Sequence, residues 1–125
     1  MSWELSEQTI TMLTLWSLLR WERKVGLVAL EQIGIEPDKL ANDVNQALLA
    51  ATDEIASGVN VTTALEPLLV TAEHEALALG HNYVGSEHLL LAIFQRACPR
   101  LREILQRHGA NYHPVKEAIV EVLRA

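Results

Sequence analysis

Glu87 is the polar residue whose position says most about chemistry. It follows Ser86, and Leu89, Leu90, Ile93 and Phe94 come after it at i, i+1, i+4 and i+5, an apolar stripe of helical period that must be buried. The pattern predicts a helix opening at Ser86, whose hydroxyl is suited to accept a hydrogen bond from an unpaired first-turn amide as the N-cap. Glu87 then sits in the first turn, where a carboxylate favours the helix dipole by a few tenths to about 1 kcal/mol. A charged group is presented at the lip of an apolar helix.

Other residues with chemical potential carry weaker signals. His74, His81 and His88 recur every seven residues, which invites a metal reading. Metal pairs on one helix prefer i, i+3 or i, i+4 spacing, and His81 closes one helix beside Gly80 while His88 lies in the next, so no metal and no other cofactor is assigned. Cys98, before Pro99 at a helix start, could be a thiol of lowered pKa, although an inert cysteine is the commoner case. Nothing local announces a Ser-His-Asp or Cys-His-Asn arrangement, and no Gly-x-x-x-x-Gly-Lys-Ser/Thr run is present for nucleotide phosphates. An enzyme is the least expected class.

The elements that must position Glu87 read as helices throughout. A helix from about Thr9 to Arg20 has Ile10, Leu13, Trp16 and either Leu18 or Leu19 spaced for burial, with Ser2 to Gln8 leading into it. A second, from about Trp21 or Arg23 to Ile33, carries Val25, Val28, Ala29 and Ile33 inward and stops at Gly34, the expected left-handed position after a helix. Pro37 suits the first turn of a third helix, about 37–51, burying Leu40, Val44, Ala47, Leu48 and Ala51. The segment 52–61 contains Ser57-Gly58 and has no clean period, so it reads as a linker.

Beyond it, Thr63 with Glu66 makes a capping box. Leu65, Leu68, Leu69, Ala72, Ala76 and Leu79 form a long stripe that Gly80 stops, and Pro67 falls near the end of the first turn. After the Ser86 helix, one short helix runs from Cys98-Pro99 to His108, ending at Gly109, and a last one from His113-Pro114 to Arg124. About seven helices and no credible strand predict an all-α domain.

Composition bounds the function. A chain of 125 residues suits one domain, and 50% hydrophobic with 21% charged residues is ordinary for a soluble globular protein. The net charge is −6 and no basic run exceeds Arg23-Lys24, which argues against nucleic acid as a partner. Apolar runs fall well short of the roughly 20 residues of a membrane helix. The start MSWELSEQ lacks the basic and apolar regions of a secretory signal, and a single cysteine gives no disulfide framework, so a cytoplasmic protein is expected.

The stretch from Glu75 to Phe94, EALALGHNYVGSEHLLLAIF, resembles the signature of the Clp N-terminal domain family, the substrate- and adaptor-docking module of Clp-type AAA+ unfoldases. The resemblance implies two copies of a four-helix motif packed into one all-α domain. Sliding the chain on itself by 75 residues aligns Ala29 to Gly34 with Ile104 to Gly109, and it puts Leu15, Leu18, Val44 and Leu48 on Leu90, Ile93, Ile119 and Leu123. The predicted organisation is a degenerate first repeat over 1–51, a linker over 52–61 and a second repeat over 62–125.

In the first copy Thr11-Met12-Leu13 falls where Ser86-Glu87-His88 stands in the second, so the carboxylate is lost. The family's first helix would precede residue 9 and is expected to be absent or a stub. Trp3, Trp16 and Trp21 are candidate fillers of the uncovered core, or candidates to line a partner surface. Alternatively, a second subunit covers the gap.

For function, the resemblance implies a non-catalytic protein-binding module without the AAA+ ATPase modules. It would recognise substrate segments or adaptors, or dock on a Clp chaperone or protease. In ClpC-like members the glutamate at the position of Glu87 and the threonine capping the preceding helix form a pocket for phosphorylated arginine. Thr62 and Ser86 match the hydroxyl positions, and Thr62 lies 25 residues before Glu87 as in the family. A guanidinium needs a carboxylate for a charge-assisted pair, and its phosphate needs amides or hydroxyls at a helix start. The resemblance also treats His81 and His88 as structural hydrogen-bonding residues of the turn. Rival readings are a structural or oligomerisation protein, including a homodimer, and a regulatory sensor domain.

Overall fold

The computed structural model describes residues 3–21, 25–50, 61–97 and 99–124, with side chains for 10–19, 25–49, 65–97 and 99–124. Seven helices account for these residues: α1 Trp3–Trp21, α2 Val25–Gln32, α3 Pro37–Ala50, α4 Val61–Ala78, α5 Ser86–Arg96, α6 Pro99–Arg107 and α7 Tyr112–Arg124. No strand occurs among the described residues, as expected of an all-α domain. Helix ends follow local chemistry. Gly34, Gly80 and Gly109 all take positive φ, and in each case the next residue's N–H reaches back five residues: Ile35 to Leu30, His81 to Ala76 and Ala110 to Leu105, at 2.9–3.0 Å.

The 75-residue shift reappears in the element bounds. It carries the ends of α1 and α2, Trp21 and Gln32, onto Arg96 and Arg107, the ends of α5 and α6, and it carries Pro37 at the start of α3 onto Tyr112 at the start of α7. Packing across the repeats is reciprocal, since α2 packs on α7 and α6 packs on α3. On the second of these faces His108 Nε2 lies 2.6 Å from Asp43 Oδ2. Their counterparts Ile33 and Ala118 line the groove between α2 and α7.

One core unites both halves. Leu15, Leu30, Leu40 and Val44 from the first repeat and Leu68, Leu91, Ile93, Leu101 and Ile119 from the second are all at most 1% exposed. Burial of such side chains stabilises by about 1.5–3 kcal/mol each, before conformational entropy is set against it.

Several sequence expectations are corrected. Helix α1 begins at Trp3, not near Thr9, because nothing between Trp3 and Trp21 stops a helix: the stretch holds neither glycine nor proline. Leu13 is 38% exposed and Val28 42%, while Met12, Leu15, Leu27 and Leu30 take the buried places. Both outward residues lie in runs apolar on nearly every side, where period alone cannot choose a face. The same holds for Leu69, 48% exposed beside buried Leu68.

Pro67 is the seventh residue of α4, beyond the first turn, and Thr71 Oγ1 donates to the Pro67 carbonyl at 2.9 Å. Helix α4 already starts at Val61, the last residue expected in the linker, so Thr62 and Thr63 lie inside its first turn rather than ahead of it. Residues 51–60 and Cys98 fall outside the described residues.

Candidate functional site

Between α4 and α5 the chain turns in seven residues. Helix α4 ends in the double carbonyl closure of Gly80 N–H to Leu77 at 3.0 Å and His81 N–H to Ala76 at 2.9 Å. Helix α5 opens on Gly85, not on Ser86: Gly85 is extended with φ −108° and ψ −179°, and its carbonyl accepts from His88 N–H at 3.1 Å and Leu89 N–H at 3.2 Å. Ser86 is therefore the first helical residue and not the cap. The reciprocal bond comes from inside the helix, where His88 Nδ1 accepts the Gly85 N–H at 2.8 Å. That arrangement does the work of a capping box with imidazole in place of carboxylate.

His88 is 0% exposed, and its other nitrogen, Nε2, lies 2.7 Å from His81 Nδ1. The bonds fix the protons. His88 Nδ1 is an acceptor, so its ring proton is on Nε2 and is donated to His81 Nδ1, which leaves the His81 proton on Nε2. Tyr83 completes a three-ring cluster: it stacks on His81 at 5.2 Å and 12°, and it meets His88 edge to face at 5.2 Å. Burial holds the His88 imidazole below its ordinary pKa, and the neighbouring His81 adds to this, against the opposing pull of Glu87 and Glu75.

Glu87 is only 5% exposed. Its carboxylate folds back over Gly85, where a Cβ would meet Oε1 at 2.5 Å, and Oε1 stands 3.6 Å from His88 Nδ1. Burial pushes the Tyr83 phenol up in pKa, and the charge and hydrogen bond of Glu87 push it further. Among the described residues no lysine or arginine pairs with Glu87. On the opposite side, Gly26 lets α2 approach the first turn of α5. A Cβ there would lie 3.1 Å from Leu90 Cδ2 and 4.0 Å from Glu87 Cα.

The expected constellation is brought together in part. Ser86 and Glu87 are adjacent at the start of α5, with Ser86 facing a narrow crevice lined by Leu18, Leu19, Leu27 and Leu30. The Thr62 side chain lies outside the described residues. Trp16 is half-buried against the core. Trp3 and Trp21 occupy the two ends of α1, about 27 Å apart along its axis, and their side chains also lie outside the described residues.

Sequence reasoning missed Glu75. It is 6% exposed and takes the Tyr112 hydroxyl at 2.8 and 2.7 Å on its two oxygens, with Gln95 Nε2 donating at 3.1 Å. One carboxylate thus ties α4, α5 and α7 together. Its signal was its register, one turn after Ala72 and seven residues after Leu68 on the inward face of α4. Burial and the Glu75 carboxylate raise the Tyr112 pKa.

Comparison with known proteins shows the family of the chain. A family model described as the Clp repeat (R) N-terminal domain matches residues 4–108. The chain belongs to the Clp N-terminal repeat family. It is 24% identical over 106 residues both to the chaperone protein ClpB of Oceanobacillus iheyensis and to the negative regulator of genetic competence ClpC/MecB of Bacillus subtilis, covering 85% of this chain and 13% of each relative. It is 26% identical to the chloroplastic chaperone protein ClpC of Pisum sativum over 99 residues, 79% of this chain and 11% of that one. The chain thus spans about an eighth of the length of these relatives.

Proposed function

We propose that this Clp N-terminal repeat domain is a non-catalytic protein-recognition module for substrate segments or adaptors of the Clp system, with Glu87 as its cationic-ligand anchor. The supporting observation is a nearly buried carboxylate at the N-terminus of α5 with no arginine or lysine paired to it among the described residues. A buried carboxylate without a cation gains most from a ligand that brings one, and a guanidinium does so through two parallel bonds. A phosphate on that guanidinium would meet the free amides of the first turn, with Ser86 and Thr62 as the hydroxyl partners.

Calorimetric titration of free phosphoarginine into the protein and into Glu87→Ala tests this. Binding that vanishes in the variant supports the anchor. Equal binding by both proteins, or none at about millimolar ligand, removes it.

The exposed Leu69, Val70 and Leu77 on α4, 48%, 45% and 66% accessible, favour a second reading as an association surface. Light scattering across a concentration series tests it: a mass that stays monomeric eliminates self-association.

A further inference from the structure

The bonds around His88 admit only one arrangement of protons. His88 Nδ1 is committed as acceptor to Gly85 N–H at 2.8 Å, and one proton is shared along the 2.7 Å line between His88 Nε2 and His81 Nδ1. A third proton has no place in this pair. Added to His88, it occupies Nδ1 and opposes the Gly85 N–H. Added to His81 Nδ1, it opposes His88 Nε2–H, and relief by moving the His88 proton to Nδ1 again breaks the bond to Gly85. Either way the reciprocal cap of α5 is lost.

The protonated Nδ1 has a new acceptor at hand, since Glu87 Oε1 already lies 3.6 Å away. We propose that the His81–His88 pair is a proton-sensitive latch on the Glu87 site: uptake of one proton releases Gly85 and turns His88 Nδ1 into a donor to Glu87, so that mild acid withdraws the carboxylate from a cationic ligand. The inference rests on the reading of Glu87 as an anchor.

Among the described residues, the titratable groups facing His88 are few. Glu87 belongs to its own helix, His81 and Tyr83 to the turn, and Glu75 to α4, with Tyr112 of α7 behind Glu75. From α1 and α2 the crevice beside Leu90 receives Leu18, Leu19, Gly26, Leu27 and Leu30, none of which titrates. The two carboxylates stabilise the extra proton once the cap has opened, while burial and His81 resist it. Because one proton is taken up, every group coupled to the latch should follow the same titration curve. His81 is half-buried at the surface side of the turn, which gives the proton an entry.

Nuclear magnetic resonance of ligand-free protein tests the latch between about pH 8 and about pH 5, the range in which imidazole changes charge. The His81 and His88 ring nitrogens, the Gly85 amide and the Glu87 carboxyl carbon should move in one step, with Gly85 amide protection from exchange falling at least about tenfold. His88→Asn keeps an oxygen acceptor for Gly85 N–H but nothing to titrate, so the Gly85 step should disappear. His81→Asn keeps an acceptor for His88 Nε2–H and should move the step.

The latch is overturned by histidines that titrate while Gly85 and Glu87 stay still. A Gly85 step unchanged in both variants overturns it equally. No ligand enters the experiment, so failure of phosphoarginine to bind would be seen separately.

Discussion

Residues 79–88 close one helix and open another, whereas residues 4–13, 75 positions earlier, run straight through α1. The backbones diverge where the side chains do. Gly80, at φ 75°, has Leu5 as its counterpart, and Gly85 has Ile10. A branched or bulky side chain makes the left-handed stop costly, so the helix continues through Leu5. Leu13 replaces His88 and cannot accept an amide proton, and Ser6 replaces His81.

With no stop and no cap within it, helical bonding satisfies the amides of this stretch beyond the first turn of α1. Met12 is thus buried in the middle of α1, at 4% exposure, in the place that Glu87 holds at a helix start. The packing positions have fared differently. Leu15 and Leu90, Leu30 and Leu105, and Val44 and Ile119 are buried in both copies, at 3% exposure or less. Positions 75 residues apart can share one core while only the later of them carries the turn chemistry that presents a polar group.

The largest expected effect separates His88 from its counterpart. His88→Ala removes a fully buried ring and leaves the Gly85 N–H without its partner, and should cost about 3 kcal/mol in chemical denaturation. Leu13→Ala, at a 38% exposed site, should cost under about 1 kcal/mol. Equal losses would break the comparison between the copies.

Tyr112→Phe comes next. It takes the hydroxyl from both oxygens of Glu75, where Pro37 stands in the first copy, and should destabilise by about 1–3 kcal/mol. Gly80→Ala forces a side chain into positive φ and should lower stability by about 1 kcal/mol. Gly85→Ala is the subtler probe. Its backbone angles suit any residue, so the fold should lose under about 1 kcal/mol, but the new Cβ must push the Glu87 carboxylate away and should weaken any ligand held there.

The smallest effect is a pH dependence. The folded-state pKa of His88 lies below 6.5, its ordinary value, so the unfolded chain takes up the proton first. Its contribution to stability is present above pH 6.5 and declines as pH falls from there through the depressed folded value. Denaturation midpoints measured on either side of this range should fall on acidification, and less so in His88→Asn.

Much of this architecture can be read from local residue chemistry. Gly34, Gly80 and Gly109 mark the ends of α2, α4 and α6, and the apolar stripe Leu40, Val44, Ala47 and Leu48 identifies the inward face of α3. Features that depend on distant partners or on the lack of a signal are harder to read. Serine is the stronger N-cap by preference, yet Gly85 takes that place because His88, three residues on, supplies the acceptor and is held by His81. Glu75 looks like one acid on an apolar face until Tyr112, 37 residues later, is brought to it. The continuity of α1 reflects an interruption that is missing, which no single residue announces.

The most direct test of the account is amide shift mapping with phosphoarginine, since it shows which copy holds a site. Shifts are expected only at Gly85 through Leu89 and the start of α4, with Thr11, Met12 and Leu13 unmoved and every shift abolished in Glu87→Ala. Shifts centred on α1, or shifts at Gly85 that survive Glu87→Ala, would contradict it.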